Sequence, residues 1–259
     1  MYHHKLQTNR YELKYVIDEQ RANSLRHYIQ AYLPPDEHVE NTDTCSYPVY
    51  SLYLDSPSLV LYRQTTQGIK NRFKLRIRFY DNDLASPAFL EIKRRITNVI
   101  RKERTAISKE GVIEFLNGIR PDVSQIIHSN GNRGGSNALD RFCDLCEEIG
   151  AIGSVYVCYV REAYVSPNSN NLRITIDRRL RGGAVGTKAK LSSPVKGVPA
   201  RVNGAVLEVK YVDVFPQWVQ DMIYEFDLER CSMAKYVHCV DALGISPSRW
   251  LSRSPELLI

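Results

Sequence analysis

The sequence predicts an α+β protein, a closed antiparallel β-barrel of about eight strands that forms a tunnel with a charged lumen, with helices packed on the outside. Several segments alternate charged and apolar residues, as in Lys74-Leu75-Arg76-Ile77-Arg78, and a strand sends successive side chains to opposite faces. Short turns join some neighbouring segments, which makes those neighbours antiparallel. An open sheet with one cationic face leaves two unpaired edges, and closure into a barrel removes them.

The strands are predicted in chain order from charged–apolar alternation or from runs rich in Val, Ile and Tyr. A polar turn, Asn82-Asp83, separates two of them, and the next two form a predicted hairpin. The predicted strands are Arg10–Ile17, Tyr47–Leu54, Phe73–Tyr80, Phe89–Arg95, Val99–Ile107, Val155–Val165, Leu172–Leu180 and Ala205–Tyr211.

Helices are predicted where a capping residue or a proline precedes helical spacing of apolar residues. Asp18 caps the first helix, which Pro34-Pro35 ends, and Ser56-Pro57 opens the second, which runs to about Gln67. The remaining helices are predicted to begin at Ser108, Ala138, Pro216 and Met233.

Two loops and a tail complete the predicted organisation. Ser129–Asn137 is rich in Gly, Asn and Ser, and Gly182–Asn203 carries four glycines. A long loop without regular structure is often functional in a compact domain. We predict one tunnel domain over residues 1–245 and a loose tail over residues 246–259.

Composition indicates a globular protein of the cytoplasm. The chain has 259 residues, of which 43% are hydrophobic, and a net charge of +6 that permits an acidic partner without requiring one. Neither a signal peptide nor a membrane-spanning run of about 18 apolar residues is predicted. Six scattered cysteines predict reduced thiols. Cys143 and Cys146 form a C-x-x-C without a second pair, which favours one face of a helix over a metal site.

The charged faces of the strands carry the candidate site. Arg binds phosphate through a bidentate fork and Lys acts as a point charge, so many cations around one lumen require a multivalent anion. Carboxylates on the same faces are either structural ion-pair partners or ligands of Mn²⁺ or Mg²⁺, which bridges phosphate oxygens. The cations are Lys14, Lys74, Arg76, Arg78, Lys93, Arg161, Arg173 and Lys210, and the carboxylates are Glu12, Glu91, Asp177 and Glu208.

Other charged segments leave alternatives open. Arg94-Arg95 and Arg101-Lys102-Glu103-Arg104 are either a basic rim of the tunnel or an exposed hairpin. Lys235 and His238 lie three residues apart and can share a helix face, where His238 is predicted to be an ordinary surface or core residue. No P-loop, Rossmann turn, nucleophile elbow or zinc-protease motif is present in the sequence. A bound nucleotide would therefore be held by side chains.

Six charged motifs stand in a fixed order: Glu12-Leu13-Lys14, Lys74-Leu75-Arg76-Ile77-Arg78, Phe89-Leu90-Glu91-Ile92-Lys93, Arg161, Leu172-Arg173-Ile174-Thr175-Ile176-Asp177 and Leu207-Glu208-Val209-Lys210-Tyr211. From about Arg10 to Leu243 the chain resembles the VTC domain, the polyphosphate polymerase domain of the vacuolar transporter chaperone complex, in the triphosphate tunnel metalloenzyme superfamily. The resemblance implies an antiparallel tunnel that takes the γ-phosphate of ATP and extends inorganic polyphosphate with Mn²⁺ or Mg²⁺.

The resemblance also implies roles for individual residues. Glu208 matches the metal-binding glutamate, and Lys235 matches a basic residue of the helix that closes the tunnel. Ala234 departs from the pattern by replacing a hydroxyl residue, and Ser232 stands where some members have lysine. The phosphate-gripping positions are matched by Lys14, Arg76, Arg78, Lys93, Lys102, Arg161 and Arg173.

Two other functions remain open from the sequence. A triphosphatase would use the same tunnel with water as the acceptor, and a non-catalytic module would bind polyphosphate without turnover. Nucleic-acid binding fits less well because no aromatic stacking platform accompanies the basic residues. ATP and inorganic polyphosphate are therefore the predicted partners, and the oligomeric state is left open.

Overall fold

An antiparallel sheet is the framework of the computed structural model, which describes residues 10–40, 45–97, 99–127, 135–167, 171–186, 189–192, 197–212 and 214–246. In these ranges the strands follow the hydrogen-bonded order β1-β9-β7-β6-β2-β3-β4-β5, with β8 beside β7. The strands are β1 (Arg10–Ile17), β2 (Tyr47–Asp55), β3 (Arg72–Phe79), β4 (Ala88–Ile96), β5 (Val99–Ile107), β6 (Ile152–Val165), β7 (Leu172–Ala184), β8 (Val198–Pro199) and β9 (Ala205–Val212).

The α+β class is confirmed, but the closed barrel is not. β1 and β5 stand at the two ends of the strand order and do not pair with each other within the described residues. Their outer edges are bonded by irregular segments instead: Tyr15 forms a bridge with Arg230, and Ile107 forms one with Ile126. These segments provide hydrogen-bond partners for backbone groups at the two edges of the sheet. In the predicted closed barrel, those groups would have paired with each other.

Six helices of the described chain follow the prediction with changed boundaries, and α2 was not predicted. They are α1 (Glu19–Gln30), α2 (Glu37–Glu40), α3 (Val60–Thr66), α4 (Lys109–Leu116), α5 (Gly135–Ile149), α6 (Gln217–Glu225) and α7 (Lys235–Leu243), with one 3₁₀ turn at Val123–Gln125. The Asp18 carboxylate accepts from the Arg21 N–H, and the Ser108 hydroxyl accepts from the Gly111 N–H, so both predicted caps are confirmed. None of the described helices is long and apolar enough to cross a membrane.

The prediction for α3 was wrong about its start. The carboxylate of Asp55 accepts hydrogen bonds from the backbone N–H groups of Ser56, Leu61 and Tyr62. Leu59 adopts a left-handed conformation with φ of 57°, and the helix begins only at Val60. The turn before α3 is therefore set by the buried carboxylate at the end of β2 together with Ser56, whose hydroxyl accepts from the Val60 N–H at 3.0 Å.

Part of the predicted loops is regular structure. β7 continues to Ala184 and β8 lies at Val198–Pro199, both inside the predicted loop Gly182–Asn203. Gly135–Asn137, predicted as loop, forms the first turn of α5. Residues 128–134, 187–188, 193–196 and 247–259, which include most of the predicted tail, lie outside the described residues.

Contacts divide the chain into two units, while the single domain over 1–245 stays a prediction. Unit 1 comprises Met1–Tyr47, Val160–Arg178 and Val202–Met233, and unit 2 comprises Pro48–Tyr159, Arg179–Arg201 and Ala234–Ile259. In unit 1, buried residues of α1 and α6 join those of β1, β7 and β9 in one apolar core. In unit 2, buried residues of α4 and α5 join those of β2 to β5 in a second core. Each core lies on one face of its strands and leaves the charged residues on the other.

Candidate functional site

In unit 1, the strand register brings charged residues from three strands into line. Glu12 lies opposite Lys210, which lies opposite Arg173. Lys14 lies opposite Glu208, which lies opposite Thr175. Because opposed residues of paired strands share a face, these side chains occupy one face of β1, β9 and β7.

Glu208 lies between two lysines. Its Oε2 is 2.6 Å from the Lys210 Nζ, and its Oε1 is 3.6 Å from the Lys14 Nζ. The Lys14 ammonium is also 3.1 Å from Glu12 Oε1 and donates to the backbone oxygen of Met233 at 2.9 Å. Glu208 is 5% exposed, so these charges interact with little water between them.

Two arginines on strands of unit 1, Arg161 and Arg173, are held by carboxylates. Arg161 donates from Nε and Nη2 to the two oxygens of Asp177, both at 2.7 Å. Arg173 donates to Asp36 at 2.5 Å. We call this set the balanced cluster because its four described cations meet four carboxylates: Lys14, Arg161, Arg173 and Lys210 with Glu12, Asp36, Asp177 and Glu208.

The predicted metal ligands do not fit a resident metal ion. Both oxygens of Asp177 accept from Arg161, and Glu12 and Glu208 both lie beside the Lys14 ammonium. Among the described residues, no group of three or more His, Cys, Asp or Glu side chains could hold a metal. Cations already neutralise the carboxylates that a metal would need.

In unit 2, rows of cations cross β3, β4 and β5. Lys74 lies opposite Lys93, which lies opposite Lys102. In the next row Arg76 lies opposite Glu91, which lies opposite Arg104. Like charges directly opposed across strands are destabilising. We call this set the cationic cluster: Lys74, Arg76, Arg78, Lys93, Lys102 and Arg104, with Glu91.

Glu91 is the buried centre of the cationic cluster. It is 1% exposed, with Oε2 2.6 Å from Arg76 Nε and Oε1 2.6 Å from Lys102 Nζ. Burial alone would raise the pKa of Glu91, but Arg76, Arg78 and Lys102 together hold it well below its usual value. Desolvation at this crowded site lowers the pKa of Lys102 to about 7, helped by the two arginines and opposed by Glu91. The cluster therefore carries more positive charge than its carboxylate neutralises.

Arg78 is buried, and among the described residues no carboxylate lies within ion-pair distance of it. It is 6% exposed, and its described hydrogen bonds run to the Tyr159 hydroxyl at 3.1 Å and to Ser51 Oγ at 3.4 Å. Burial would raise the pKa of Tyr53 nearby, yet Arg76 and Arg78 lower it. The positive potential of this face thus reaches its neutral neighbours.

Lys235 joins Arg78 at Tyr159. Its Nζ lies 5.2 Å from the centre of the Tyr159 ring, and the residue is 8% exposed. It is the first residue of α7, and Ala234 before it makes no side-chain capping bond. The departure at Ala234 therefore removes a cap from the helix that carries Lys235.

Two hydrogen bonds tie α7 to α3 and β2. The Tyr236 hydroxyl donates to the buried carboxylate of Asp55 at 2.6 Å, and the Tyr62 hydroxyl donates to Asp241 at 2.6 Å. The rings of Tyr53 and Tyr236 stack at 4.9 Å. Since Tyr53 also accepts from Arg76 at 3.0 Å, the contacts that position Lys235 and Arg76 are linked.

The structure gathers the predicted residues into two clusters, and their convergence on one lumen stays a prediction. The sequence did not predict Asp36, Tyr53 and Tyr159 as partners of the arginines. Asp36 has no periodic signal, because it follows Pro34-Pro35 and is fixed by its N–H, which donates to Ala163 at 2.9 Å. The tyrosines lie on predicted strands, and their alternation with apolar neighbours was the available signal.

Comparison with known proteins places the chain in a family. A family model described as the VTC domain matches residues 9–244. No match was found among curated proteins.

Solved structures that match the chain include a proposed adenylate cyclase from Bacillus halodurans, 9% identical, with a TM-score of 0.47 over 87% of this chain and 95% of that one. A Pyrococcus horikoshii protein is 12% identical, with a TM-score of 0.45 over 89% and 97%. A proposed adenylate cyclase from Vibrio parahaemolyticus is 14% identical, with a TM-score of 0.44 over 92% and 99%. On the family match over residues 9–244, the chain belongs to the VTC domain family.

Proposed function

We propose that the chain transfers phosphoryl groups from ATP to a growing inorganic polyphosphate chain. Membership of the VTC family supports a role in handling triphosphates. The observation that carries the proposal is Arg78, a buried guanidinium whose described hydrogen bonds run to hydroxyl groups. A buried charge requires a counter-charge, and a phosphate oxygen pair matches the donor geometry of arginine.

The charge balance of the two clusters supports different roles for them. In the cationic cluster, Arg76, Lys102 and Arg104 all lie within ion-pair distance of one carboxylate, Glu91, so a phosphate chain would reduce the repulsion among them. In the balanced cluster, a phosphate must compete with Asp177 for Arg161 or with Asp36 for Arg173. We therefore assign the tightest phosphate binding to the cationic cluster, and weaker phosphate binding to Lys14, Arg161, Arg173 and Lys210.

This chemistry requires little from the protein beyond positioning and charge. Phosphoryl transfer spreads negative charge over the equatorial oxygens, which preorganised cations stabilise without a covalent nucleophile. Arg76, Arg78 and Lys235 would hold the oxygens, and the surrounding protein would exclude bulk water. Mn²⁺ or Mg²⁺ stays a prediction and would enter with ATP, since these ions take many of their ligands from substrate phosphates.

The test is incubation with ATP and Mn²⁺ followed by a polyphosphate-stained gel. Wild type is expected to give a ladder of long products, and Arg78→Ala to lose about 10²–10³-fold in rate, the effect of removing one oxyanion donor. Arg26→Ala is the control because Arg26 pairs bidentately with Glu162, outside both clusters. Equal ladders from wild type and Arg78→Ala would contradict the proposal.

A second candidate is a module that binds or hydrolyses triphosphates without polymerising them. Ala234 favours it, because α7 lacks a side-chain cap next to Lys235. Release of orthophosphate without a ladder would identify a triphosphatase with water as the acceptor. Tight polyphosphate binding without metal-dependent ATP turnover would identify a non-catalytic module.

A further inference from the structure

We propose that the tip of the β4–β5 hairpin docks on an anionic lipid surface. The tip combines three exposed aliphatic side chains with five cations, all within unit 2. We call this set the tip patch: Ile69, Ile96 and Val99 with Lys70, Arg72, Arg94, Arg95 and Arg101. It develops the basic hairpin that sequence analysis left open, and it does not depend on the proposed phosphoryl transfer.

The exposed aliphatic side chains of the tip patch continue the apolar face of the hairpin, which is buried in the core of unit 2 farther from the turn. Leu90 and Ile92 on β4 are each 1% exposed within the core of unit 2. Arg94 lies two residues and Ile96 four residues beyond Ile92, so both lie on the same face as Ile92. Ile96 is 41% exposed. Val99, directly opposite Ile96, is 39% exposed. The apolar face thus extends past its covering helices.

Specific hydrogen bonds hold the patch together. The Thr97 N–H donates to Asn71 Oδ1 at 3.1 Å, which fastens the hairpin turn to the segment before β3. Arg95 Nε donates to the Thr97 backbone oxygen at 2.8 Å, and Arg72 donates to the backbone oxygen of Ile69. Ile69, which is 42% exposed, is therefore placed near the hairpin turn.

The cations of the patch face one another rather than carboxylates. Arg72 lies opposite Arg95 on the ionic face of the hairpin, and Arg94 lies opposite Arg101 on the face that carries Ile96. In the described chain, no carboxylate lies within ion-pair distance of these four or of Lys70, and the buried Nε of Arg94 has no hydrogen-bond partner. Residues 93–102 contain no Asp or Glu. Burial, together with the charge of Arg95, lowers the pKa of Arg72.

An anionic bilayer satisfies both halves of this surface. Aliphatic side chains enter the boundary between headgroups and acyl chains, while Arg and Lys remain among the phosphates. A free polyphosphate would neutralise the cations but would leave Ile69, Ile96 and Val99 in water. A nucleic acid would favour exposed aromatic rings for stacking, whereas the ring of Phe73 lies under the guanidinium of Arg94.

The test is co-sedimentation of the full chain with phosphatidylserine–phosphatidylcholine vesicles and with vesicles of phosphatidylcholine alone. Wild type is expected to bind the anionic vesicles, and less so as salt is raised. Arg101→Glu should lower partitioning about tenfold. The change removes one cation that is attracted to the anionic surface and adds a carboxylate that the surface repels. It places a carboxylate opposite Arg94, so the hairpin should stay folded. The double variant Ile96→Ser/Val99→Ser should also lower partitioning about tenfold.

Matched controls separate the patch from general charge and hydrophobicity. Arg201→Glu changes the net charge equally from an exposed position elsewhere in unit 2, and Ile119→Ser removes an aliphatic side chain that is 58% exposed. Both should bind anionic vesicles as wild type does. Absence of wild-type binding, equal binding to neutral vesicles, or no loss in the Arg101 and Ile96/Val99 variants would overturn the proposal. Binding to RNA in place of vesicles would do so as well.

Discussion

The cationic cluster can be tested by removing its only described carboxylate. Glu91→Gln keeps the size of the side chain but leaves Arg76, Lys102 and Arg104 without the charge that they surround. We expect the variant to be less stable than wild type. We also expect added tripolyphosphate to restore more stability to the variant than to wild type, because the anion replaces the missing charge.

The size of the effect follows from the burial of the group. Removing one partner of a buried ion pair costs about 3–5 kcal/mol. The side chains of Lys102 and Arg104 are 44% and 37% exposed, so water screens part of the repulsion. We therefore expect about 3 kcal/mol, which lowers Tm by about 6–12 °C for a chain of this size.

The assay is thermal unfolding of both proteins over a tripolyphosphate series, with Glu162→Gln as the control. Glu162 is buried and pairs with Arg26, but it lies outside both clusters. Because tripolyphosphate is expected to bind the folded state, it should reduce the difference in Tm between wild type and Glu91→Gln by about half or more. It should leave the difference for Glu162→Gln unchanged. An equal response of the two variants would refute the reasoning.

Three further predictions concern single groups. Because the pKa of Lys102 is about 7, the affinity for tripolyphosphate in calorimetric titrations should fall as the pH rises beyond that value. In Lys102→Arg the side chain stays charged, so the affinity should not fall. Tyr236→Phe removes a hydrogen bond to the buried carboxylate of Asp55 and should cost about 2 kcal/mol in urea unfolding; an unchanged midpoint would contradict the anchoring of α7. Burial raises the pKa of Cys143 to about 11, so a thiol reagent at pH 8 should label exposed Cys45 and spare Cys143, and equal labelling would contradict its burial.

The sequence predicted the strands and the ionic faces because alternation is a local signal. Arg76, Arg78 and Lys93 lie where the period of two places them. Alternation could not predict the pairing of Arg173 with Asp36. That contact joins residues 137 positions apart, and Asp36 lies on no element with a periodic pattern. The predicted closure of the sheet into a barrel was wrong for a related reason. Segments at Arg230 and Ile126 bond the edges of β1 and β5, and neither segment has a strand pattern.

The metal prediction shows the limit of residue type alone. Glu12, Asp177 and Glu208 have the chemistry of Mn²⁺ or Mg²⁺ ligands, and they share faces with the cations that are predicted to bind phosphate. Which role a carboxylate takes depends on whether a cation already lies against it. Arg161 occupies both oxygens of Asp177, a fact that only the folded geometry supplies.

The central claim, that buried Arg78 and the cations around Glu91 bind a phosphate chain, is tested most directly by calorimetric titration of tripolyphosphate. Wild type should bind, with an affinity that falls as salt is raised, and Arg78→Ala should weaken binding at least about tenfold while Arg26→Ala leaves it unchanged. Absence of binding to wild type, or equal affinities for wild type and Arg78→Ala, would contradict the claim.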